Sequence, residues 1–202
     1  MNWRLLRIAL YAAVAGLAGV VLARLWIEHN AASPAGPGRG EALIGGAFEL
    51  TDHTGRRVTD QSYRGRPMVL FFGFTHCPDV CPTELAAIAG ALDLLGNDAA
   101  KVAPIFVTVD PARDTPQVLA DYLGNLHPGL IGLTGSEADI ARAAKAYRVF
   151  YAVNRPKDGE GYSVDHSGLT YVMNREGKYV AHFRPGTAPE TIAQRLRTLL
   201  QS

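Results

Sequence analysis

Residues 67–95, PMVLFFGFTHCPDVCPTELAAIAGALDLL, decide the fold. Pro67 to Phe74 is an almost unbroken apolar run, the pattern of a strand buried on both faces. Leu85, Ile88, Ala89, Leu92 and Leu95 then recur at helical spacing, which predicts a helix over 83–95. The short polar loop between them holds Cys77 and Cys81, the two cysteines of the chain.

Working outward, residues 102–109, VAPIFVTV, predict a second central strand, although Pro104 weakens its early part. Upstream, Phe48 and Leu50 alternate with polar neighbours, and Asp52-His53-Thr54-Gly55 supplies a turn before Arg57-Val58. That is an opening hairpin. Downstream, helices are expected at 115–124 and 136–147, with a short strand at 129–133 between them. A hairpin is expected at 169–174 and 178–183, turning at Asn174-Arg175-Glu176-Gly177. Ile192, Leu196, Leu199 and Leu200 line one side of a closing helix over 188–200. No internal repeat is visible. The early alternation of strand and helix implies parallel strands joined by right-handed crossovers, and the late hairpin adds an antiparallel edge. The expected fold is α/β: a thioredoxin-like mixed sheet flanked by helices, over residues 43–202. Fold alone does not settle function.

The N-terminus is different. Ile8 to Ala23 is 16 residues without a charge. As a helix it spans about 24 Å, against ~30 Å of bilayer hydrocarbon. Leu25, Trp26 and Ile27 extend it, Arg7 and Arg24 can snorkel to opposite interfaces, and Trp26 suits an interfacial position. Residues 1–28 are therefore expected to be an N-terminal transmembrane helix rather than a buried core helix. Arg4 and Arg7 precede the run, so the positive-inside bias keeps the N-terminus inside and exports the chain beyond residue 28. The exported side would be the periplasm of a bacterium or its mitochondrial equivalent. Leu25-Trp26-Ile27-Glu28-His29 is a poor small-residue cleavage region, which favours an uncleaved anchor over a signal peptide. No cysteine is near enough for a lipoprotein anchor. Residues 29–42, rich in Ala, Gly and Pro, read as a flexible linker.

Composition excludes several classes. With 202 residues, 48% hydrophobic and 19% charged, the chain can bury a sizeable core and is not disordered overall. A net charge of +1 gives no general case for nucleic acid. Two cysteines cannot build a disulfide scaffold or a four-cysteine zinc site. They can form a structural disulfide, a redox pair or two thiolate ligands.

The loop favours reactive sulfur. Cys81 precedes Pro82, which biases it away from helical geometry and suits Pro82 to the first helical position. Both thiols then lie at a helix N-terminus, where N–H groups and the helix dipole favour thiolate. A structural disulfide closing so small a loop gains little stability. Three residues between the cysteines depart from the CxxC of thioredoxin-type enzymes and let two sulfurs open around one ion. Two thiolates plus one imidazole make a good trigonal set for Cu(I). His76 is adjacent to Cys77, where a strand exit points neighbours apart. His29, His53, His127 and His182 read as linker, turn, loop and strand residues. His166 follows a polar loop, precedes a strand and, in a thioredoxin-like fold, returns beside the cysteine loop. It is the best third ligand.

These residues strongly resemble the Sco (SenC) family of cytochrome c oxidase assembly proteins, over roughly residues 43–201. Gly73-Phe74-Thr75-His76-Cys77-Pro78-Asp79-Val80-Cys81-Pro82-Thr83 resembles the family's CxxxC motif. Val107-Thr108-Val109-Asp110-Pro111-Ala112-Arg113-Asp114-Thr115-Pro116 looks like its second signature, and Val164-Asp165-His166-Ser167 its histidine motif. The resemblance implies a thioredoxin fold that binds one copper through Cys77, Cys81 and His166. It implies delivery of copper to the binuclear copper site of oxidase subunit II, or reduction of that site's cysteines. The implied partners are that subunit and another periplasmic copper chaperone. Asp110 and Asp114 are expected to shape the loop around the site. For Asp114 a helix cap before residues 115–124 is an equal expectation.

Two function classes stand. A metallochaperone holds Cu(I) as cargo on all three residues. A thiol–disulfide oxidoreductase uses Cys77 and Cys81 as redox thiols and needs His166 much less. A peroxidase fits poorly: peroxiredoxins usually place Thr three residues before the reacting cysteine, and Thr75 is two before Cys77.

Overall fold

β3 (Met68–Gly73) is the hub of the molecule, and all six of its residues are buried. Aliphatic and aromatic side chains on both faces leave it no solvent side, which is why the run reads as continuous rather than alternating. The computed structural model describes residues 44–155 and 161–201, with scattered positions between Trp3 and Arg24. Two compact units result, Met1–Ala42 and Leu43–Ser202.

In the first unit the described positions are helical, and the Arg7 guanidinium lies 5.8 Å from the Trp3 ring centroid. The rest of the expected anchor, and the whole expected linker, lie outside the described residues. Among the described residues no helix is long and apolar enough to cross a membrane.

The second unit begins with β1 (Glu49–Asp52) and β2 (Arg57–Thr59), the expected hairpin. The Asp52 carboxylate closes its turn, accepting from the Thr54 N–H, the Thr54 hydroxyl and the Arg56 N–H at 2.6–3.0 Å. β3 comes next, then α1 (Val80–Leu95), β4 (Ala103–Thr108), α2 (Pro116–Gly124), β5 (Ile131–Thr134) and α3 (Glu137–Ala146). β6 (Tyr151–Asn154), β7 (Ser163–His166), β8 (Thr170–Met173), β9 (Tyr179–Phe183) and α4 (Pro189–Gln201) complete the chain. The main sheet runs β2-β1-β5-β4-β3-β8-β9. β3, β4 and β5 are parallel, while β8 and β9 add the expected antiparallel edge.

One face of the sheet carries Phe71, Gly73 and Phe106, against which Cys81 of α1 and Tyr122 of α2 pack. Phe72, on the other face, meets Tyr147 just after α3 at 5.6 Å. Helices therefore cover both faces, as expected. Phe71, Phe72, Phe106 and Tyr147, buried to 0–1% exposure, each contribute about 1.5–3 kcal/mol. Pro104 is harmless in a central strand for a local reason. The Ala103 N–H donates to Pro67 toward β3, so the Pro104 nitrogen faces β5, whose ladder begins only at Ile105.

Two expectations need correction. α1 starts at Val80, so Cys81 is already helical and Pro82 is the third helical residue, not the first. The first N–H groups of a helix have no intrahelical partner, so a proline there costs no bond. The second correction concerns His166, expected in a loop before a strand. It ends β7, which pairs with β6 in a separate two-stranded sheet, with Tyr151 opposite His166.

Candidate metal centre

Gly73 ends β3 where the chain must pass under a sulfur. A Cβ at this position would lie 2.6 Å from Cys81 Sγ and 3.0 Å from the Phe106 ring. Only glycine lets the strand and the start of α1 approach this closely. The chain then turns over residues 74–77, with the Cys77 N–H donating to Phe74 O at 3.2 Å, and enters α1. The Cys81 N–H donates to Cys77 Sγ at 3.4 Å. The helix N-terminus thus serves the Cys77 sulfur directly.

The two cysteines are free thiols in unequal settings. Cys77 is half-buried and Cys81 fully buried. Burial pushes the Cys81 thiol well above its ordinary range, outweighing the bond offered by the Phe74 backbone. The expected thiolate-favouring environment therefore does not hold for Cys81 in the absence of a metal.

His166 completes the group. Its Nε2 lies 3.3 Å from Cys81 Sγ. Nδ1 lies 3.2 Å from the Ser167 carbonyl, to which it donates as Nδ1–H, leaving the Nε2 lone pair facing the sulfur. The ring sits edge-on between Phe71 and Phe74, at 6.0 and 5.8 Å. Burial holds its pKa below the ordinary histidine value, which favours the neutral imidazole a metal needs. One ligand atom from each of Cys77, Cys81 and His166 falls within 4.8 Å of the others. With metal–sulfur bonds of about 2.3 Å, one soft ion can reach all three. The donor set therefore fits Cu(I).

The remaining expected residues separate. Asp114 is fully buried and does not cap α2; Thr115 does, accepting from the Val118 N–H. Asp114 instead accepts from the Thr75 N–H at 3.0 Å and from the Thr75 and Thr108 hydroxyls at 2.6 Å each. It braces the loop two residues before Cys77. Asp110 accepts from the Tyr162 hydroxyl at 2.6 Å and from Arg113 Nε. The Arg113 guanidinium stacks 3.9 Å over the Tyr162 ring and donates to the Tyr162 carbonyl. This cluster pins the strand entry that leads to His166. Tyr162→Phe should keep the fold and loosen that strand, weakening copper binding about tenfold, as loss of an outer-shell partner does. Competitive titration against a Cu(I) chelator measures it.

His76 is exposed and its Nδ1 pairs with the Thr75 hydroxyl. His53, expected to be solvated, accepts the Gly132 N–H at 3.0 Å and ties the first turn to β5. His127 and His182 make local contacts, and His29 lies outside the described residues. Sequence reasoning missed Arg113 and Tyr162 as a stack, because 49 residues separate them. It also missed buried Glu84, which accepts from the Gly186 N–H at 2.7 Å. That bond holds the turn whose Pro185 borders the site.

The site opens into a groove of roughly 450 Å³. Cys77 and His166 line it with Pro78 and Pro185, and its charged groups are the carboxylates of Asp79 and Asp165. A metal cation is attracted there; a phosphate backbone is not.

Comparison with known proteins gives a consistent answer. A family model described as SCO1/SenC matches residues 36–201. An SCO2-like protein of Rickettsia prowazekii is 44% identical over 141 residues, 69% of each chain. Protein sco1 of Schizosaccharomyces pombe is 42% identical over 158 residues, 77% of this chain and 60% of the yeast protein. Among solved structures, copper-bound ScoI of Bradyrhizobium japonicum superposes with a TM-score of 0.73 at 46% identity. That match covers 77% of this chain and 99% of the solved one.

Proposed function

This chain belongs to the SCO1/SenC family, and from that premise we propose that it carries copper for the assembly of cytochrome c oxidase. The observation that carries the reading is the convergence of Cys77, Cys81 and His166 within 4.8 Å. The copper-bound state of the Bradyrhizobium relative supports it. The cargo ion is held by two thiolates and the neutral imidazole. Binding removes the thiol protons, which offsets the burial penalty on Cys81. Half-exposed Cys77 is the sulfur an incoming thiolate meets first, so ligands can be exchanged one at a time.

The recipient in this reading is the binuclear copper site of oxidase subunit II, and another exported copper chaperone is the donor. Residues 1–28 anchor the protein and residues 29–42 space the domain from the membrane, on the periplasmic or equivalent side. The apolar run Ile8–Ala23 and the basic residues before it support this placement.

Copper titration of the reduced domain, residues 43–202, tests the ligand set. One ion per domain is expected. His166→Ala should lower affinity by more than the ~10–100-fold that loss of an outer-shell partner costs. Full affinity in that variant would remove His166 from the site.

The unequal burial of the cysteines favours a second reading beside the first. Cys77 thiolate can attack a disulfide of the target site, forming a mixed disulfide and releasing one target thiolate. Cys81 then displaces the second target sulfur, leaving Cys77–Cys81 oxidised and the target reduced by two electrons. Reduction that persists in His166→Ala would separate this activity from copper carriage.

A further inference from the structure

β3 gives the exported domain two ends. The copper-site end lies at Gly73, against Cys81 Sγ. The other end lies at Met68, about 17 Å away along the strand and paired with Met173. The chain arrives at this second end. Gly45, with φ +99°, donates its N–H to Ala146 O at 2.9 Å, and a side chain there would meet Met173 at 2.5 Å.

Cations ring that arrival point. Arg142, Lys145 and Arg148, all exposed, surround Gly45 in a shallow depression. On its other side, Gly45 approaches the Gly177 carbonyl in the turn that carries Arg175 and Lys178. That turn is joined to the Arg64–Arg66 loop: the Gly65 N–H donates to Arg175 O at 2.9 Å, and the Arg64 guanidinium lies against Gly177. Asp60, Asp139 and Glu176 are the acids beside these cations, and the first two pair with Arg64 and Arg142; Asp98, farther along this end, pairs with Lys101. Residues 42–202 carry 16 basic and 17 acidic side chains, so a near-neutral domain concentrates seven cations at one pole. The opposite pole holds Asp79, Asp110, Asp114 and Asp165 together with Arg113, which pairs with Asp110, and Arg155 and Arg184, so its charges nearly balance.

We propose that the basic pole around Gly45 docks on the anionic phospholipid headgroups of the bilayer, turning the copper site away from the surface. Two observations single out a lipid surface over an acidic protein. The cations surround the point where the domain joins residues 29–42, and those residues lead to the apolar run Ile8–Ala23. On the reading of residues 29–42 as a linker, a chain of that length spans about 20 Å on average, which keeps headgroups within reach of the domain. Basic groups near such a surface are attracted to it over about a Debye length. The orientation rests on residues 1–28 being the anchor, but the lipid affinity of the pole does not.

The domain over residues 43–202 has its own core, and the copper-bound Bradyrhizobium chain consists of its equivalent. It can therefore be tested alone, by flotation with vesicles of phosphatidylcholine containing about a third phosphatidylglycerol, or of phosphatidylcholine only. Binding should be at least about tenfold stronger to the anionic vesicles at low salt and should vanish in high salt. The charge-reversed variant with Lys145→Glu and Lys178→Glu should lose more than about tenfold, while Arg184→Glu at the opposite pole should change little. Copper stoichiometry, measured alongside, reports that each variant is folded. Equal binding to both vesicles overturns the proposal, as does binding that survives high salt or falls equally in Arg184→Glu. The anchor is judged separately, by whether the full chain resists extraction from membranes at high salt. Weak vesicle binding by the lone domain would leave that result untouched.

Discussion

Cys81→Ser is expected to leave a folded domain that no longer holds copper. Cys81 is fully buried, with its sulfur against Gly73 and 3.3 Å from His166 Nε2. A serine hydroxyl fits that space, so packing changes little. It is a hard, neutral donor, and soft Cu(I) binds it poorly. Affinity should fall by about three orders of magnitude, well beyond the ~10–100-fold of an outer-shell loss. Copper retained after gel filtration in the presence of a Cu(I) chelator measures it, and a thermal melt confirms the fold. Stoichiometric copper in the variant would remove Cys81 from the ligand set and leave Cys77 and His166 to be explained otherwise.

Asp114→Ala is expected to produce the largest loss of stability of any single change near the site. Three donors converge on this carboxylate: the Thr75 N–H, the Thr75 hydroxyl and the Thr108 hydroxyl. Removing it leaves them without their acceptor in a region where Asp114 and Thr108 are wholly buried. At about 1–3 kcal/mol for each buried group left unpaired, the net cost is about 3–5 kcal/mol. For a domain of this size that lowers Tm by about 10 °C. Denaturant unfolding of the copper-free domain gives the cost without interference from ligand stabilisation. Asp114→Asn keeps an acceptor oxygen and should recover part of it. Equal midpoints for the alanine variant and the parent would mean that the loop holds itself.

Much of the fold and the site is legible in the sequence, for definite reasons. β3 and β4 are buried on both faces, so their apolar runs carry the assignment without help from periodicity. The β8–β9 hairpin announces itself through Asn174-Arg175-Glu176-Gly177, whose Gly177 takes φ +69°. The β6–β7 hairpin does not, because it stands apart from the main sheet and only Val164 among its paired residues is buried. With Val164 alone in the core and Tyr151 and Tyr162 packed against it, its strands need little alternation of apolar and polar residues. The β-formers Tyr151, Val153, Tyr162 and Val164 on either side of a polar segment are the signal available. The start of α1 is misplaced by sequence because Pro82 marks a first turn without marking its first residue; it tolerates the third position equally well. Cys77, Cys81 and His166 are chosen by chemistry, and the fold brings their ligand atoms within 4.8 Å of one another. The burial that separates the two cysteines is invisible, since it depends on Gly73 lying beneath one sulfur and not the other. Asp114 resembles a cap because it precedes a helix; its true partners lie 39 and 6 residues away.

The separate sheet of β6 and β7 divides the site's labour. Both sulfurs belong to the main domain, whereas the imidazole rides on a ribbon of four residue pairs. A small ribbon with one buried residue opens far more often than the core around it. On the copper-carrying reading, retention and surrender of the ion are then set by different parts of the molecule. The thiolates fix how tightly the cargo can be held, and the ribbon's own breathing fixes how long it stays. A lineage could adjust dwell time by editing Tyr151–Asn154 alone, leaving every sulfur contact as it is.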